Sequence, residues 1–277
     1  MIVTVEWLHE HIQDEHVRII DCRFDLANPN WGREQYNEAH ILGALYFDLD
    51  KDLSSPVTQH GGRHPLPNIE AFVQKLSQAG IDERTTVVAY DSQGGAMASR
   101  LWWLLTYLGH DKVYVLNGGF SAWKEQKFEV TNDIPVFASK TFVPSIQHDI
   151  VVTMAELQEK INKQADITLI DSREPRRYEG LEEPVDKVAG HIPTAQNYFW
   201  KAGVTEFGAF KGQSEQEERF MHLDKKKETI VYCGSGVTAC PNVLALKMAG
   251  FTNVKLYAGS WSDWISYPEN SIVKENQ

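Results

Sequence analysis

Cysteine is scarce in this chain, and its scarcity excludes two common kinds of stabilising site. The 277 residues include three cysteines, Cys22, Cys233 and Cys240. An odd and sparse set of cysteines does not make the disulfide framework that small secreted domains use. No spacing of cysteine and histidine resembles a zinc site, so we predict no metal and no cofactor. We therefore expect free thiols and a cytoplasmic location.

The chain also lacks an excess of positive charge and any long apolar run. It carries 27 Lys and Arg against 38 Asp and Glu, a formal net charge of −11. Nucleic acid and anionic membranes would repel such a chain, so we predict neither as a partner. No apolar stretch is long enough to span a bilayer, and the first residues lack the pattern of a secretion signal.

The sequence repeats itself at about half its length, and this repeat predicts the architecture. Each half places a Thr before an amphipathic helix, ends an apolar strand in Asp, and ends a later helix at a glycine, Gly109 or Gly250. Strands that alternate with helices at this spacing indicate a mostly parallel sheet covered by helices. The paired segments are residues 3–12 and 152–161, 18–23 and 168–173, 39–44 and 190–195, 86–91 and 229–233, and 118–123 and 259–264.

We therefore predict an α/β protein with two tandem domains, each a mostly parallel sheet flanked by helices. The first domain is expected over residues 1–130 and the second over residues 149–277, joined by a polar linker at 131–148. The halves differ at one position, where the second has Cys233 and the first has Asp91. A carboxylate cannot serve as a thiol nucleophile, so we expect the first domain to be inactive and the second to be catalytic.

The segment from Ile230 to Pro241 combines an apolar strand, a cysteine, a run of small residues and the start of a helix. A strand followed by a tight loop and a helix points several backbone N–H groups into one small volume, which stabilises an anion. Gly234 and Gly236 supply the backbone freedom that such a loop needs. We predict that Cys233 is a nucleophilic thiolate under an anion-binding loop. The alternative is a buried structural cysteine in an ordinary strand-to-helix turn.

Across nearly its whole length the chain resembles the tandem-domain rhodanese superfamily, and within it the 3-mercaptopyruvate sulfurtransferases. The most specific motif is the loop at residues 233–239, supported by the motifs at 118–123, 177–180 and 190–193. The resemblance implies two rhodanese-like domains and an enzyme that moves a sulfane sulfur from 3-mercaptopyruvate or thiosulfate through a persulfide on Cys233. The acceptor would be cyanide, a thiol or a thioredoxin-like protein. The backbone N–H groups of residues 234–238 would hold the persulfide.

The resemblance also implies a Ser–His–Asp relay beside the cysteine, with the His and Asp lent by the first domain. Ser235 matches the serine of the family. The Asp lies in a Phe-Asp-x-Asp stretch, which places it at Asp50. His64, before a proline-containing turn, is the best match for the histidine, and His60 is the alternative.

The donor-binding residues implied by the resemblance are Arg177 and the loop residues Gly234, Gly236, Val237 and Thr238. A guanidinium suits a two-pronged grip on a carboxylate or a sulfonate, whereas a surface salt bridge to Glu174 or Glu179 is the structural alternative for Arg177. The family has a second arginine about nine residues further on, and this chain has residues 182–187, Glu-Glu-Pro-Val-Asp-Lys, there instead. Loss of that cation would weaken the grip on an α-keto acid, unless Lys187 substitutes for it.

Three other functions compete with this prediction. Thiosulfate:cyanide sulfurtransferase activity would use the same cysteine with another preferred donor. A non-catalytic sulfur carrier or binding module would keep the fold without turnover. A phosphatase needs an arginine at the sixth position after the cysteine, which here is Ala239, and we expect no other basic residue in the cradle, so this function is disfavoured.

Overall fold

The computed structural model describes residues 1–274. Within that range the chain forms two compact units. The first comprises residues 1–55, 67–147 and 205–210, and the second comprises residues 56–66, 148–204 and 211–274. Of the expected linker at 131–148, residues 131–147 group with the first unit and residue 148 with the second, and residues 56–66 also group with the second. The domain boundaries given above stay a prediction.

The first unit is a five-stranded parallel sheet with helices packed around it. Its strands lie in the order β1-β6-β5-β2-β4, and an antiparallel pair, β3 with β7, lies outside this sheet. The elements are β1 (Ile2–Val3), α1 (Val5–His11), β2 (Val17–Asp21), α2 (Trp31–Glu38), β3 (His40–Ile41), β4 (Ala44–Tyr46), α3 (Ile69–Gln78), β5 (Thr86–Tyr90), α4 (Ala96–Tyr107), β6 (Val113–Leu116), α5 (Gly119–Glu125) and β7 (Val130–Thr131).

The second unit repeats the five-stranded parallel sheet strand for strand. Its parallel sheet has the order β10-β9-β11-β12-β8, so its strands β8, β12, β11, β9 and β10 correspond to β1, β6, β5, β2 and β4. Short 3₁₀ turns occupy His148–Ile150 and Trp200–Gly203. The elements are β8 (Val151–Val152), α6 (Met154–Asn162), β9 (Ile167–Asp171), α7 (Pro175–Tyr178), β10 (Gln196–Asn197), α8 (Gln213–Arg219), β11 (Glu228–Tyr232), α9 (Cys240–Met248), β12 (Val254–Tyr257) and α10 (Ser260–Trp264).

The signals that predicted the repeat act as expected in both units. Thr4 caps α1 by accepting a hydrogen bond from the Trp7 N–H, and Thr153 forms a capping box with Glu156 at α6. The central strands β5 and β11 are buried along almost their whole length, as strands covered on both faces must be. Each unit has its own apolar core. The predicted fold class, two parallel sheets flanked by helices, is confirmed.

Candidate active site

Cys233 lies directly after β11, at the carboxyl end of the second sheet, where open α/β folds bind ligands. Its side chain is buried, with 1% of its surface exposed. The backbone around it is fixed by α10: the Cys233 N–H donates to Ser260 Oγ at 3.1 Å, and the Cys233 carbonyl accepts from the Trp261 N–H at 3.0 Å. The Gly234 carbonyl accepts from the Ser262 N–H at 2.9 Å. These three hydrogen bonds to α10 fix the position of the backbone at Cys233 and Gly234.

The loop after the cysteine turns back onto the sulfur. The Gly236 N–H donates to Cys233 Sγ at 3.2 Å, which places a backbone dipole where negative charge on sulfur would develop. Gly236 has φ +78°, and a Cβ there would lie 2.1 Å from the Ala258 carbonyl oxygen, so only glycine fits. Cys240, at the start of α9, donates its thiol to the Gly236 carbonyl at 3.3 Å.

Ser235 and His64 are hydrogen-bonded to each other. His64 Nδ1 and Ser235 Oγ are 2.7 Å apart, and both residues are buried. His60, the alternative histidine, lies elsewhere: its Nδ1 is 2.7 Å from Ser266 Oγ and its ring stacks on Tyr267. Of the two predicted histidines, the structure brings only His64 to Ser235.

The segment that carries His64, residues 56–66, groups with the second unit, although it lies within the predicted bounds of the first domain, 1–130. The Gly61 N–H donates to Asp263 Oδ1 at 2.7 Å, and the Arg63 N–H donates to Ser262 Oγ at 3.1 Å. Gly62 has φ +80° and packs so closely that a Cβ there would lie 2.4 Å from the Gly259 carbonyl oxygen. The turn at α10 thus positions both the cysteine and the histidine.

Two guanidinium groups flank the loop at Gly234. A Cβ built on Gly234 would lie 2.8 Å from one terminal nitrogen of Arg63 and 3.5 Å from one of Arg177. The expectation that the cradle lacks basic residues is therefore wrong. In the sequence Arg63 follows two glycines and lies far from Cys233. Hydrophobic periodicity does not single out such a residue. Lys187, the expected substitute for the second arginine, is exposed. The second cation beside the loop is Arg63.

The carboxylates that hold these arginines are Glu183 and Asp186. Arg177 donates from Nε to Glu183 at 3.0 Å and from a terminal nitrogen to Asp186 at 3.2 Å, so its partners are not Glu174 or Glu179. Arg63 donates to the other oxygen of Asp186. Burial would raise the pKa of Glu183, but hydrogen bonds from Arg177 and from backbone N–H groups outweigh it and hold that pKa below its ordinary value.

Asp50, the predicted acid of the relay, lies in the first unit in the loop between β4 and α3. Its N–H donates to Asp48 Oδ1 at 3.0 Å. Burial, and then the neighbouring charge of Asp48, raise the pKa of the Asp50 carboxyl. Gly234, Val237 and Thr238 lie in the loop with Gly236, and Thr238 is the half-buried member of the four.

The corresponding loop of the first unit is filled by its own carboxylate. Asp91 follows β5 and accepts four backbone hydrogen bonds, from residues 93 and 95 on Oδ1 and from residues 97 and 98 on Oδ2. Burial raises the pKa of Asp91, and these four donors oppose it. Four N–H groups of the first loop thus face a carboxylate, whereas in the second loop the Gly236 N–H faces a sulfur.

Comparison with known proteins gives the family. The rhodanese-like domain family matches the sequence twice, over residues 4–126 and 153–267. The chain belongs to the rhodanese-like domain family. A probable 3-mercaptopyruvate sulfurtransferase from Pseudomonas aeruginosa is 39% identical over 98% of this chain and 97% of its own length. A thiosulfate/3-mercaptopyruvate sulfurtransferase from Arabidopsis thaliana is 31% identical over 98% of this chain and 86% of its own length.

Solved structures of rhodanese-like proteins agree with this assignment. The structure of the 3-mercaptopyruvate sulfotransferase SseA from Escherichia coli matches with a TM-score of 0.81 and 30% identity, covering 94% of this chain and 98% of that one. Within residues 1–274, no group of three or more His, Cys, Asp or Glu side chains is arranged to hold a metal ion. Over the same range no helix combines the length and the apolar character needed to cross a membrane.

Sequence reasoning missed four residues that shape the site. These are Arg63, Glu183, Asp186 and Ser260. Ser260 adopts φ +57°, a left-handed conformation that is costly for a residue with a Cβ, and its hydroxyl accepts from the Cys233 N–H. The only signal in the sequence was that residues 182–187 depart from the pattern implied by the resemblance.

Proposed function

We propose that this chain is a sulfurtransferase that moves a sulfane sulfur through a persulfide on Cys233. The proposal rests on the Cys233 sulfur at the carboxyl end of β11, which accepts a hydrogen bond from the Gly236 N–H. Ser235, two residues after the cysteine, is hydrogen-bonded to His64. A nucleophile, an N–H donor for the developing charge and an adjacent proton-transfer pair are the parts that covalent catalysis needs.

The first half-reaction uses 3-mercaptopyruvate or thiosulfate as the donor. The Cys233 thiolate attacks the outer sulfur of the donor, a new S–S bond forms, and the donor's bond to that sulfur breaks. The electron pair leaves on the enolate of pyruvate or on sulfite. The enolate then takes up a proton, and Ser235 with His64 is the pair that we assign to this proton transfer.

In the second half-reaction an acceptor thiolate attacks the outer sulfur of the persulfide and restores the Cys233 thiolate. We propose a small thiol or a thioredoxin-like protein as the natural acceptor, with cyanide as its substitute in an assay. Two half-reactions through one covalent intermediate give ping-pong kinetics. The three cysteines are free thiols, which suits a reducing, cytoplasmic location.

We assign Arg177 and the N–H groups of Gly234, Gly236, Val237 and Thr238 to donor and persulfide binding. Asp50 is proposed as the acid that orients the relay histidine, on the strength of the Phe-Asp-x-Asp motif. The first unit is proposed to be non-catalytic, because Asp91 already satisfies its loop.

The test is cyanide-dependent thiocyanate formation with each donor, combined with mass spectrometry of the donor-treated protein. We expect the wild type to gain one sulfur atom on Cys233 and to turn over. Cys233→Ser should do neither, and Cys22→Ser, a buried thiol in the first unit, serves as the matched control. Thiocyanate formation by Cys233→Ser would refute the proposal. So would release of phosphate from an aryl phosphate by a wild type that forms no persulfide.

A further inference from the structure

Asp186 lies between the two arginines at the site and bonds to both. One of its oxygens accepts from Arg63 and the other accepts from Arg177 at 3.2 Å. The Asp186 side chain is 4% exposed, and the side chains of Arg63 and Arg177 are 30% and 16% exposed. Two guanidinium groups so close together would repel each other, and a buried carboxylate between them removes that cost.

The orientation of Arg63 leaves a donor group facing the loop. One terminal nitrogen of Arg63 is used by Asp186, and the other is the nitrogen that lies 2.8 Å from a Cβ built on Gly234. Arg177 gives its Nε to Glu183, and one terminal nitrogen, 3.5 Å from the same Cβ, also donates to Glu183 at 2.7 Å and to Asp186 at 3.2 Å. The other terminal nitrogen of Arg177 lies 3.8 Å from that Cβ. Glycine at 234 allows the Arg63 guanidinium to approach the loop closely, because a Cβ there would collide with its terminal nitrogen.

We propose that Arg63 is the second donor-binding cation of this enzyme and that Asp186 is the positioning residue that aims Arg63 and Arg177 at a shared anion. The inference rests on the proposed sulfurtransferase function and deepens it by naming the group of the donor that is bound. That group is a planar carboxylate or a sulfonate-like oxyanion, because N–H groups from two guanidinium ions match two or more oxygens of one anion.

The arrangement also accounts for the departure at residues 182–187. This chain carries a carboxylate, Asp186, in the stretch where the family has its second arginine, and it carries Arg63 next to His64. Residues 63 and 186 are joined by their ion pair in the second unit. Two cations thus flank the loop at Gly234, and one of them comes from the segment that also carries His64.

The experiment compares Arg63→Gln and Asp186→Asn with the wild type in steady-state assays with 3-mercaptopyruvate, thiosulfate and the uncharged methyl ester of 3-mercaptopyruvate. Arg176→Gln is the matched control. Arg176 lies next to Arg177 on the short helix α7, and its exposed side chain pairs with Glu182. Loss of charge-assisted hydrogen bonds to the donor should raise KM for both anionic donors about 10- to 100-fold in Arg63→Gln. KM for the methyl ester should rise by much less, and Arg176→Gln should match the wild type.

Comparing the change in KM with the change in kcat separates an effect on donor binding from an indirect effect on the neighbouring His64. A change confined to kcat, or an equal rise of KM for charged and uncharged donors, would overturn the inference. Asp186→Asn should raise KM for the anionic donors, and its effect should not add to that of Arg63→Gln, because both changes disable the same grip. Full additivity would contradict the positioning role.

Two further measurements keep the result clear if a variant folds poorly. Arg63→Lys retains the charge but loses the two-pronged geometry, so its KM should lie between those of the wild type and Arg63→Gln. Calorimetric titration of Cys233→Ser with pyruvate, with and without Arg63→Gln, measures anion binding without turnover, and equal affinities would overturn the inference. If the wild type forms no persulfide with any donor, both the proposed function and the inference fail. If the wild type forms the persulfide but Arg63→Gln leaves KM unchanged, only the inference fails.

Discussion

Replacement of Asp91 by Asn tests the claim that the first loop is stabilised by its own carboxylate. The four backbone N–H donors to Asp91 lie at 2.8, 2.9, 2.8 and 3.0 Å from its two oxygens, two donors on each. An Asn side chain has one oxygen, and its amide nitrogen cannot accept a hydrogen bond. In either orientation of the amide, two buried N–H groups therefore lose their acceptor.

Each orphaned buried donor costs about 1–3 kcal/mol, so the expected loss in free energy of unfolding is about 2–6 kcal/mol. Chemical denaturation of the full chain measures this loss, and amide hydrogen exchange locates it, since the amides of residues 93–98 should exchange faster. Asp111→Asn, a change of the same atoms at an exposed position, is the control and should stay within about 0.5 kcal/mol of the wild type. A loss below about 0.5 kcal/mol in Asp91→Asn as well would refute the reasoning.

The pH dependence of this loss has a definite sign. Because the pKa of Asp91 is raised in the folded state, mainly by burial, the folded protein binds that proton more tightly than the unfolded chain does. The contribution of Asp91 to stability is therefore complete below the unfolded pKa and declines as the pH rises through the folded pKa. The Asn side chain does not titrate, so the deficit of Asp91→Asn should grow as the pH is lowered from 7. A deficit that shrinks on acidification would contradict the raised pKa.

Three further changes test other parts of the structure. Gly236→Ala should lower sulfur transfer at least tenfold and destabilise the fold by about 2 kcal/mol or more. The reason is that it adds a side chain at φ +78° against the Ala258 carbonyl. Unchanged turnover would contradict the geometry of the loop. Arg173→Met should cost about 3–5 kcal/mol in a denaturant titration, since it leaves the buried Asp171 carboxylate unpaired, and a neutral result would show that the pair is dispensable. Thr153→Ala should cost about 1 kcal/mol through the lost helix cap without changing kcat or KM, and an altered KM would show that the cap has a wider role.

The fold was predictable because its signals are local and are repeated. Thr4 and Thr153 mark helix starts, Gly109 and Gly250 mark helix ends, and the apolar strands before Asp91 and Cys233 alternate with helices in the same order in both halves. A signal that is weak in one copy becomes strong when it recurs in the other at the same place. The antiparallel pair of β3 and β7 was not predicted, because two-residue strands carry no usable periodicity.

The candidate site was predictable only in part. Cys233 and Gly236 belong to one continuous loop, so residue order alone placed them together. The resemblance to the family favours His64 over His60, but His60 stays an alternative because both histidines lie in the same irregular segment. The choice follows from the hydrogen bonds of Gly61 and Arg63 to the α10 turn, which direct His64 to Ser235 and leave His60 beside Ser266 and Tyr267.

By itself the sequence determined the duplicated α/β fold, the position of Cys233 and the presence of Asp91 in its place in the first half. These features depend on residues that are neighbours along the chain, and local propensity and burial suffice to specify them. Tertiary structure alone decided which histidine meets Ser235 and which cation stands beside Arg177. Arg63 and Asp186 are separated by 123 positions, and their pairing depends on how two loops pack on one turn of backbone. Only the folded chain brings such charges together, because their attraction is short-ranged and takes effect after the loops have docked.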